Sequence, residues 1–141
     1  MVKGLSKSQE DYLETILLLE QKNRVARVKD IADALQVQMP SVTGAVKNLK
    51  AKDLVNYQKN SYISLTEKGM KIAQSVFNKH TILTRFLEKV LLLDPEEADT
   101  EACKLEHNIK AATAEKFQRL NEVIDEILEK DLISREDWKK K

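Results

Sequence analysis

A mainly α fold is predicted by three observations on these 141 residues. Apolar residues recur at three- and four-residue steps over most of the chain, the period of helices that bury one face. Three glycines and two prolines leave few places for such helices to break. One short stretch, Leu54 to Leu65, alternates apolar and polar residues instead, as paired strands do. With 42% hydrophobic and 33% charged residues the composition is that of a soluble, well-ordered, helix-rich chain. No apolar run approaches a membrane span, and Met1-Val2-Lys3-Gly4-Leu5 leads into charged residues rather than a signal core. A single cysteine excludes an internal disulfide framework and suits a reducing compartment. A cytoplasmic protein with no membrane partner is expected.

The first helix opens at Ser6-Lys7-Ser8-Gln9, a capping box with Ser6 as N-cap, and should run to about Gln21. Tyr12, Leu13, Ile16, Leu17 and Leu19 form its core-facing stripe, and Asp11 and Glu14 project together beside it. Taken alone, those two carboxylates read as a solvated acidic edge. A short second helix, about Val28 to Leu35, buries Ile31, Ala34 and Leu35. After the turn Gln36-Val37-Gln38-Met39, Pro40 stands at the first helical position, where its missing N–H costs nothing. The third helix runs to about Lys52 with Val42, Ala45, Val46 and Leu49 inward; Ser41, Thr43, Gly44, Lys47, Asn48 and Lys50 remain outside. Two helices joined by a four-residue turn, the second outwardly small, polar and basic, form a helix-turn-helix. Leu54–Gln58 and Ser61–Leu65, around a turn at Lys59-Asn60, add a small hairpin. The sum is a winged helix-turn-helix over residues 1–70.

Charge supports a nucleic-acid partner. Between Lys22 and Asn60 there are eight cations and three anions, a net +5 in a chain whose total is +1. In this reading the third helix enters the major groove, where Pro40, Ser41, Thr43 and Gly44 lie near base edges. Arg27, Lys47 and Lys59 are candidate phosphate contacts. A winged helix used only for protein contacts stays open, although the outer face of the third helix carries no acidic residue.

Residues 71–141 are expected to be all helical. Thr66 can cap a long helix, about Glu67 to Leu92, whose stripe runs Met70, Ala73, Phe77, His80, Leu83, Leu87 and Val90. His80 on that stripe reads either as a hydrogen-bonded core residue or as a ligand. Asp94-Pro95-Glu96-Glu97 starts another helix, with Ala98, Ala102, Leu105 and Ile109 on its apolar face. On the same helix Cys103, Glu106 and His107 stand at i, i+3 and i+4, which brings a thiol, a carboxylate and an imidazole within reach of a single ion. A last helix, about Ala112 to Leu128, presents Phe117, Leu120, Ile124, Ile127 and Leu128. These stripes exceed what a 70-residue unit needs for itself, so a homodimer is expected, matched to a palindromic DNA site. Glu129 to Lys141, with its lone Trp138, reads as a further helix or a partly disordered tail.

Taken together, Glu10-Asp11-Tyr12-Leu13-Glu14, Val28-Lys29-Asp30-Ile31-Ala32, Met39-Pro40-Ser41-Val42-Thr43, Leu65-Thr66-Glu67-Lys68-Gly69, Lys79-His80 and Cys103 through His107 resemble, in this order, the diphtheria toxin repressor and manganese transport regulator family of metal-dependent transcriptional repressors. The resemblance spans nearly the whole chain. It implies a metal-binding and dimerisation domain after the winged helix, no SH3-like third domain, and control of metal-uptake genes. It places Asp11, Glu14, His80, Cys103, Glu106 and His107 where relatives hold metal ligands, and so favours the ligand reading of His80. Iron-responsive relatives share the cysteine but carry methionine where Asp11 stands; manganese-responsive ones share Asp11 and Glu14 but often carry glutamate at the cysteine position. Thr84 and Asp99 stand where an iron-type ancillary site has its carboxylate and a further histidine. A manganese-type pair of adjacent ions, using Asp11, Glu14 and Glu106, is the expectation instead. Mn(II) or Fe(II) is the expected co-repressor, with Mn(II) ahead; Co(II) or Zn(II) can bind in vitro because affinity rises along the divalent series. Two other classes stay open. One is a winged-helix regulator sensing oxidation at Cys103, although the neighbouring Glu106 disfavours a reactive thiolate. The other is a metallohydrolase, for which no base or pocket motif is recognisable.

Overall fold

A computed structural model describes residues 4–140; Met1-Val2-Lys3, read above as free of signal character, and Lys141 lie outside the described residues. The order is α1 (Lys7–Asn23), α2 (Val28–Leu35), α3 (Met39–Ala51), β1 (Val55–Asn56), β2 (Ser64–Leu65), α4 (Glu67–Lys89), α5 (Pro95–Leu105), a 3-10 turn (Glu106–Asn108), α6 (Ala111–Glu129) and α7 (Arg135–Lys140). The chain divides into two compact units between Phe77 and Asn78, inside α4 and a few residues beyond the sequence-drawn boundary at 70/71.

In the first unit Ser6 accepts from the Gln9 N–H while Gln9 reaches back to the Ser6 N–H, so both arms of the capping box close. From α1, Tyr12, Leu13, Ile16 and Leu17 meet Ile31 and Ala32 of α2 and Val42, Val46 and Leu49 of α3 in one core. Each such fully buried aliphatic contributes about 1.5–3 kcal/mol relative to leaving it in water. Ala32, not Ala34, is the buried alanine of α2. A methyl group carries too little hydrophobic signal to fix a helix face by itself. Pro40 falls one position later than expected, because α3 starts at Met39 behind Gln38 as N-cap.

The hairpin is shorter than its alternation predicts. Only Val55–Leu65 and Asn56–Ser64 pair, antiparallel. Ile63 instead donates its N–H to the Ala26 carbonyl at 2.8 Å, and this bridge draws the chain away from β1. Thr66 caps α4 as expected, its Oγ1 accepting the Gly69 N–H at 3.0 Å.

The second unit has its own core: Leu83, Leu87, Ala98 and Ala102, with Phe86, Leu93, Ile109 and Phe117 packed on it. Phe86 and Phe117 meet edge to face at 4.8 Å. Asp94 accepts from the N–H groups of Glu96 and Glu97, which fixes the start of α5. The long helix stops at Lys89, short of Leu92, and the tail forms α7, whose Trp138 indole donates to the Val90 carbonyl at 2.8 Å. Leu120 and Val123 of α6 are still exposed, at 42% and 50%.

Candidate metal centre and nucleic-acid face

The α-helical register that places Cys103, Glu106 and His107 on one face holds only as far as Leu105; Glu106–Asn108 tighten into a 3-10 turn. The outcome is burial. Glu106 is 1% exposed and the His107 side chain 4%, while Cys103 remains exposed on α5. A carboxylate taken out of water needs charged or donating partners. Its Oε2 lies within hydrogen-bond reach of His80 Nδ1, at 2.6 Å, while His107 Nε2 stands 3.2 Å from Oε1 without making a hydrogen bond to it.

The imidazole of His80 comes from α4, where the neighbouring Lys79 is anchored by donating to the Ile109 carbonyl at 3.2 Å. Its Nδ1 is also 3.7 Å from Cys103 Sγ. On the opposite side of the ring, Nε2 lies 2.8 Å from Asp99 Oδ1 and 3.4 Å from Thr84 Oγ1. One donor atom each from His80, Asp99 and Cys103 falls within 4.8 Å of the other two. Lys104, next to Cys103, donates to Glu101 at 2.8 Å, and that hydrogen bond and charge raise its pKa.

Four of the six expected ligands, His80, Cys103, Glu106 and His107, are therefore gathered within the second unit. Asp11 and Glu14 belong to the first, three residues apart on α1 and half-buried. Asp99 was not expected in the group. Its sequence signals were its place one helical turn before Cys103 and its place where iron-type relatives carry an ancillary histidine, a site that the aspartate and Thr84 made unexpected. Within the second unit the side chains that each bring a donor atom within 4.8 Å of the others are His80, Asp99 and Cys103, a mixed nitrogen, oxygen and sulfur set of the kind a divalent transition metal takes, with Glu106 at His80 Nδ1 and His107 beside Glu106.

In the first unit Ser41, Gly44, Lys47, Asn48 and Lys50 of α3 all face outward, and Thr43 is partly covered. Arg27, at the N-cap of α2, lies over the Tyr62 ring with 5.2 Å from its guanidinium carbon to the centroid. One side of α3 therefore borders a groove of about 610 Å³ that includes Arg27, Lys29 and Thr43. A second groove, of about 550 Å³, runs by Lys47, Lys50 and Lys59. Lys50 is held to the hairpin by donating to the Tyr57 carbonyl at 2.7 Å. Sequence reasoning did not foresee Tyr62 as the partner of Arg27, since the two are 35 residues apart.

Two family descriptions match the chain in tandem: the N-terminal DNA-binding domain of iron-dependent repressors over residues 4–62, and their metal-binding and dimerisation domain over 66–133. An uncharacterized helix-turn-helix transcriptional regulator of Methanocaldococcus jannaschii is 37% identical over 138 residues, covering 97% of this chain and 99% of its own. The transcriptional regulator MntR of Bacillus subtilis is 33% identical over 119 residues, covering 84% of this chain and 83% of its own. The chain belongs to the iron-dependent repressor family.

Among solved structures, the manganese regulator SloR is 33% identical with a TM-score of 0.70; the match covers 79% of this chain and 52% of SloR, so the chain spans about half the length of that relative. As a member of the iron-dependent repressor family the chain is a metal-dependent, DNA-binding transcriptional repressor with a dimerisation domain. Among the described residues no helix is long and apolar enough to cross a membrane.

Proposed function

We propose that this repressor takes Mn(II) or Fe(II) as co-repressor at a centre built on Glu106, acts in the cytoplasm as a regulator and not an enzyme, and controls metal-uptake genes as a homodimer on a palindromic operator. The observation that carries the reading is the buried Glu106 carboxylate held between His80 and His107, with the Cys103 thiol 3.7 Å from His80 Nδ1. His80, Cys103, Glu106 and His107 hold the ion in this reading. Asp11 and Glu14 add carboxylates on the strength of the resemblance, and their hardness places Mn(II) ahead. An ion bound there supplies positive charge that offsets the like charge of whichever carboxylates ligate it. Fixing the two recognition helices about 34 Å apart, or a multiple of it, then suits successive major grooves. Pro40, Ser41, Thr43 and Gly44 face base edges, and Arg27, Lys47 and Lys59 face phosphates.

The test is a gel shift on the protein's own promoter region with Mn(II), Fe(II), Co(II) and Zn(II), chelator controls and fixed salt. His107→Ala is expected to abolish metal-dependent binding and to leave a folded dimer by sedimentation and circular dichroism. A full metal response in that variant removes His107 from the centre. The exposure of Cys103 favours one rival, an oxidation sensor. Operator binding that persists in chelator and disappears with peroxide decides for it.

A further inference from the structure

The hairpin meets the segment before α2 at one short antiparallel bridge. Ile63 donates its N–H to the Ala26 carbonyl at 2.8 Å, and both side chains are fully buried in the core of the first unit. Side chains alternate across such a pairing, so the next pair along, Arg27 and Tyr62, stands on the outer face. Both are exposed, and they touch: the guanidinium carbon lies 5.2 Å from the centre of the Tyr62 ring, and Arg27 Nη2 donates to the phenol oxygen at 3.4 Å. Tyr62 is 53% exposed, so the core does not hold its ring in place. The groove that this pair lines also takes in Lys29 and Thr43, and its charged lining is two cations with no anion. Arginine meets an aromatic ring with its face and a phosphate with its edge, where its five N–H donors lie. The two contacts are therefore compatible. A long side chain that is already held in place also has less freedom to lose when it binds.

We propose that Tyr62 is a positioning residue for DNA binding: its ring holds the Arg27 guanidinium at the edge of the groove beside α3, so that a backbone phosphate meets an arginine already in place. The inference rests on the reading of Arg27 as a phosphate contact and deepens it. The role it competes with is direct insertion of the Tyr62 ring between bases. Bases in a duplex are already stacked on one another, and insertion costs that stacking. The guanidinium, by contrast, is beside the ring in the free protein, and the buried Ala26–Ile63 bridge keeps the two residues opposite each other.

The Mn(II)-loaded protein is titrated at several salt concentrations with two probes, a duplex from its own promoter region and a scrambled duplex of equal length. Tyr62→Phe keeps the ring face and should bind both within about threefold of wild type. Tyr62→Leu keeps apolar bulk without the ring face, with an unchanged fold by circular dichroism. It should weaken both duplexes by the same factor, about 3–10-fold per subunit and so about 10–100-fold for a dimer. Arg27→Ala should flatten the slope of log affinity against log salt by about 1.8 for a dimer. Once Arg27→Ala is in place, adding Tyr62→Leu should cost nothing further, because there is no guanidinium left to hold. Wild-type affinity in Tyr62→Leu overturns the proposal, and so does a loss in Tyr62→Phe equal to that in Tyr62→Leu. A Tyr62→Leu loss that persists in the Arg27→Ala background, or that is confined to the promoter duplex, makes Tyr62 a DNA contact in its own right and overturns it too. In each of those cases the reading of Arg27 stands. If Arg27→Ala leaves the salt slope unaltered, Arg27 meets no phosphate, and the proposal falls with that reading.

Discussion

At the scale of single residues, two glutamates show how the same side chain is kept out of water for different ends. Glu106 is fully buried and has an imidazole at each oxygen. Glu20 is half-buried, and its Oε1 accepts a 3.3 Å hydrogen bond from the Leu65 N–H. Burial raises the Glu20 pKa, and the backbone hydrogen bond opposes this without cancelling it. Because the folded value lies above the ordinary 4.5, the folded state binds more protons just above that pH. Stability from this group is therefore present at lower pH and declines as pH rises through 4.5 and on past the folded value. Glu20→Gln keeps the acceptor for Leu65 and removes the charge. Urea unfolding at a series of pH values should show that decline flattened and the variant more stable than wild type at neutral pH. An unaltered profile would mean that water reaches Glu20 freely. Of the candidate ligands, His80, Cys103, Glu106 and His107 stood out in the sequence because histidine and cysteine are scarce here and two of them sit beside one glutamate. Asp99 was legible only as the occupant of an ancillary position, where an aspartate replaces a histidine; its contact with His80 was not, since the two are 19 residues apart and on different helices.

At the scale of elements, the helices were legible wherever a cap and an apolar period coincide, at Ser6, Thr66 and Asp94. The 3-10 turn after Leu105 was not, because i, i+3 and i+4 spacing suits either helix type over three residues. Nor was the shortness of the hairpin: alternation marks both arms, but the bridge from Ile63 to Ala26 joins residues 37 positions apart. Tertiary contact also governs the start of α4. A glycine inside a helix ordinarily costs about 0.5–1 kcal/mol relative to alanine. At Gly69, however, an added Cβ would fall 1.9 Å from the Leu54 carbonyl oxygen, a backbone atom that cannot turn aside. Overpacking of this kind costs about 1–3 kcal/mol and outweighs the propensity gain. Gly69→Ala should therefore melt at a lower temperature than wild type. Gly44, in the middle of α3, has nothing within 4 Å of the same added atom, and Gly44→Ala should gain about 0.5–1 kcal/mol. If both variants shift in the same direction by thermal denaturation, helix propensity governs the two sites and the contact with Leu54 does not.

At the scale of the whole molecule, charge is segregated along the chain. The segment from Lys22 to Asn60 carries +5 of a total of +1, so what remains is acidic. An acidic remainder keeps net charge from driving indiscriminate binding, while the basic segment meets DNA through counterion release. Each phosphate contact contributes about 0.9 to the slope of log affinity against log salt. A dimer presents each contact twice, so a lysine that meets one phosphate per subunit accounts for about 1.8 of that slope. Lys59, in the turn between the hairpin arms, is proposed to be such a lysine. Thr43 is proposed to face bases from α3. Lys59→Ala, titrated with operator DNA at several salt concentrations and saturating Mn(II), should therefore flatten the slope by nearly two and weaken operator and unrelated DNA alike. Thr43→Ala should leave the slope intact and narrow the gap between operator and unrelated DNA. If Lys59→Ala left the slope untouched, the hairpin would not reach the backbone, and α3 with the Arg27–Tyr62 pair would have to carry the electrostatics of binding alone.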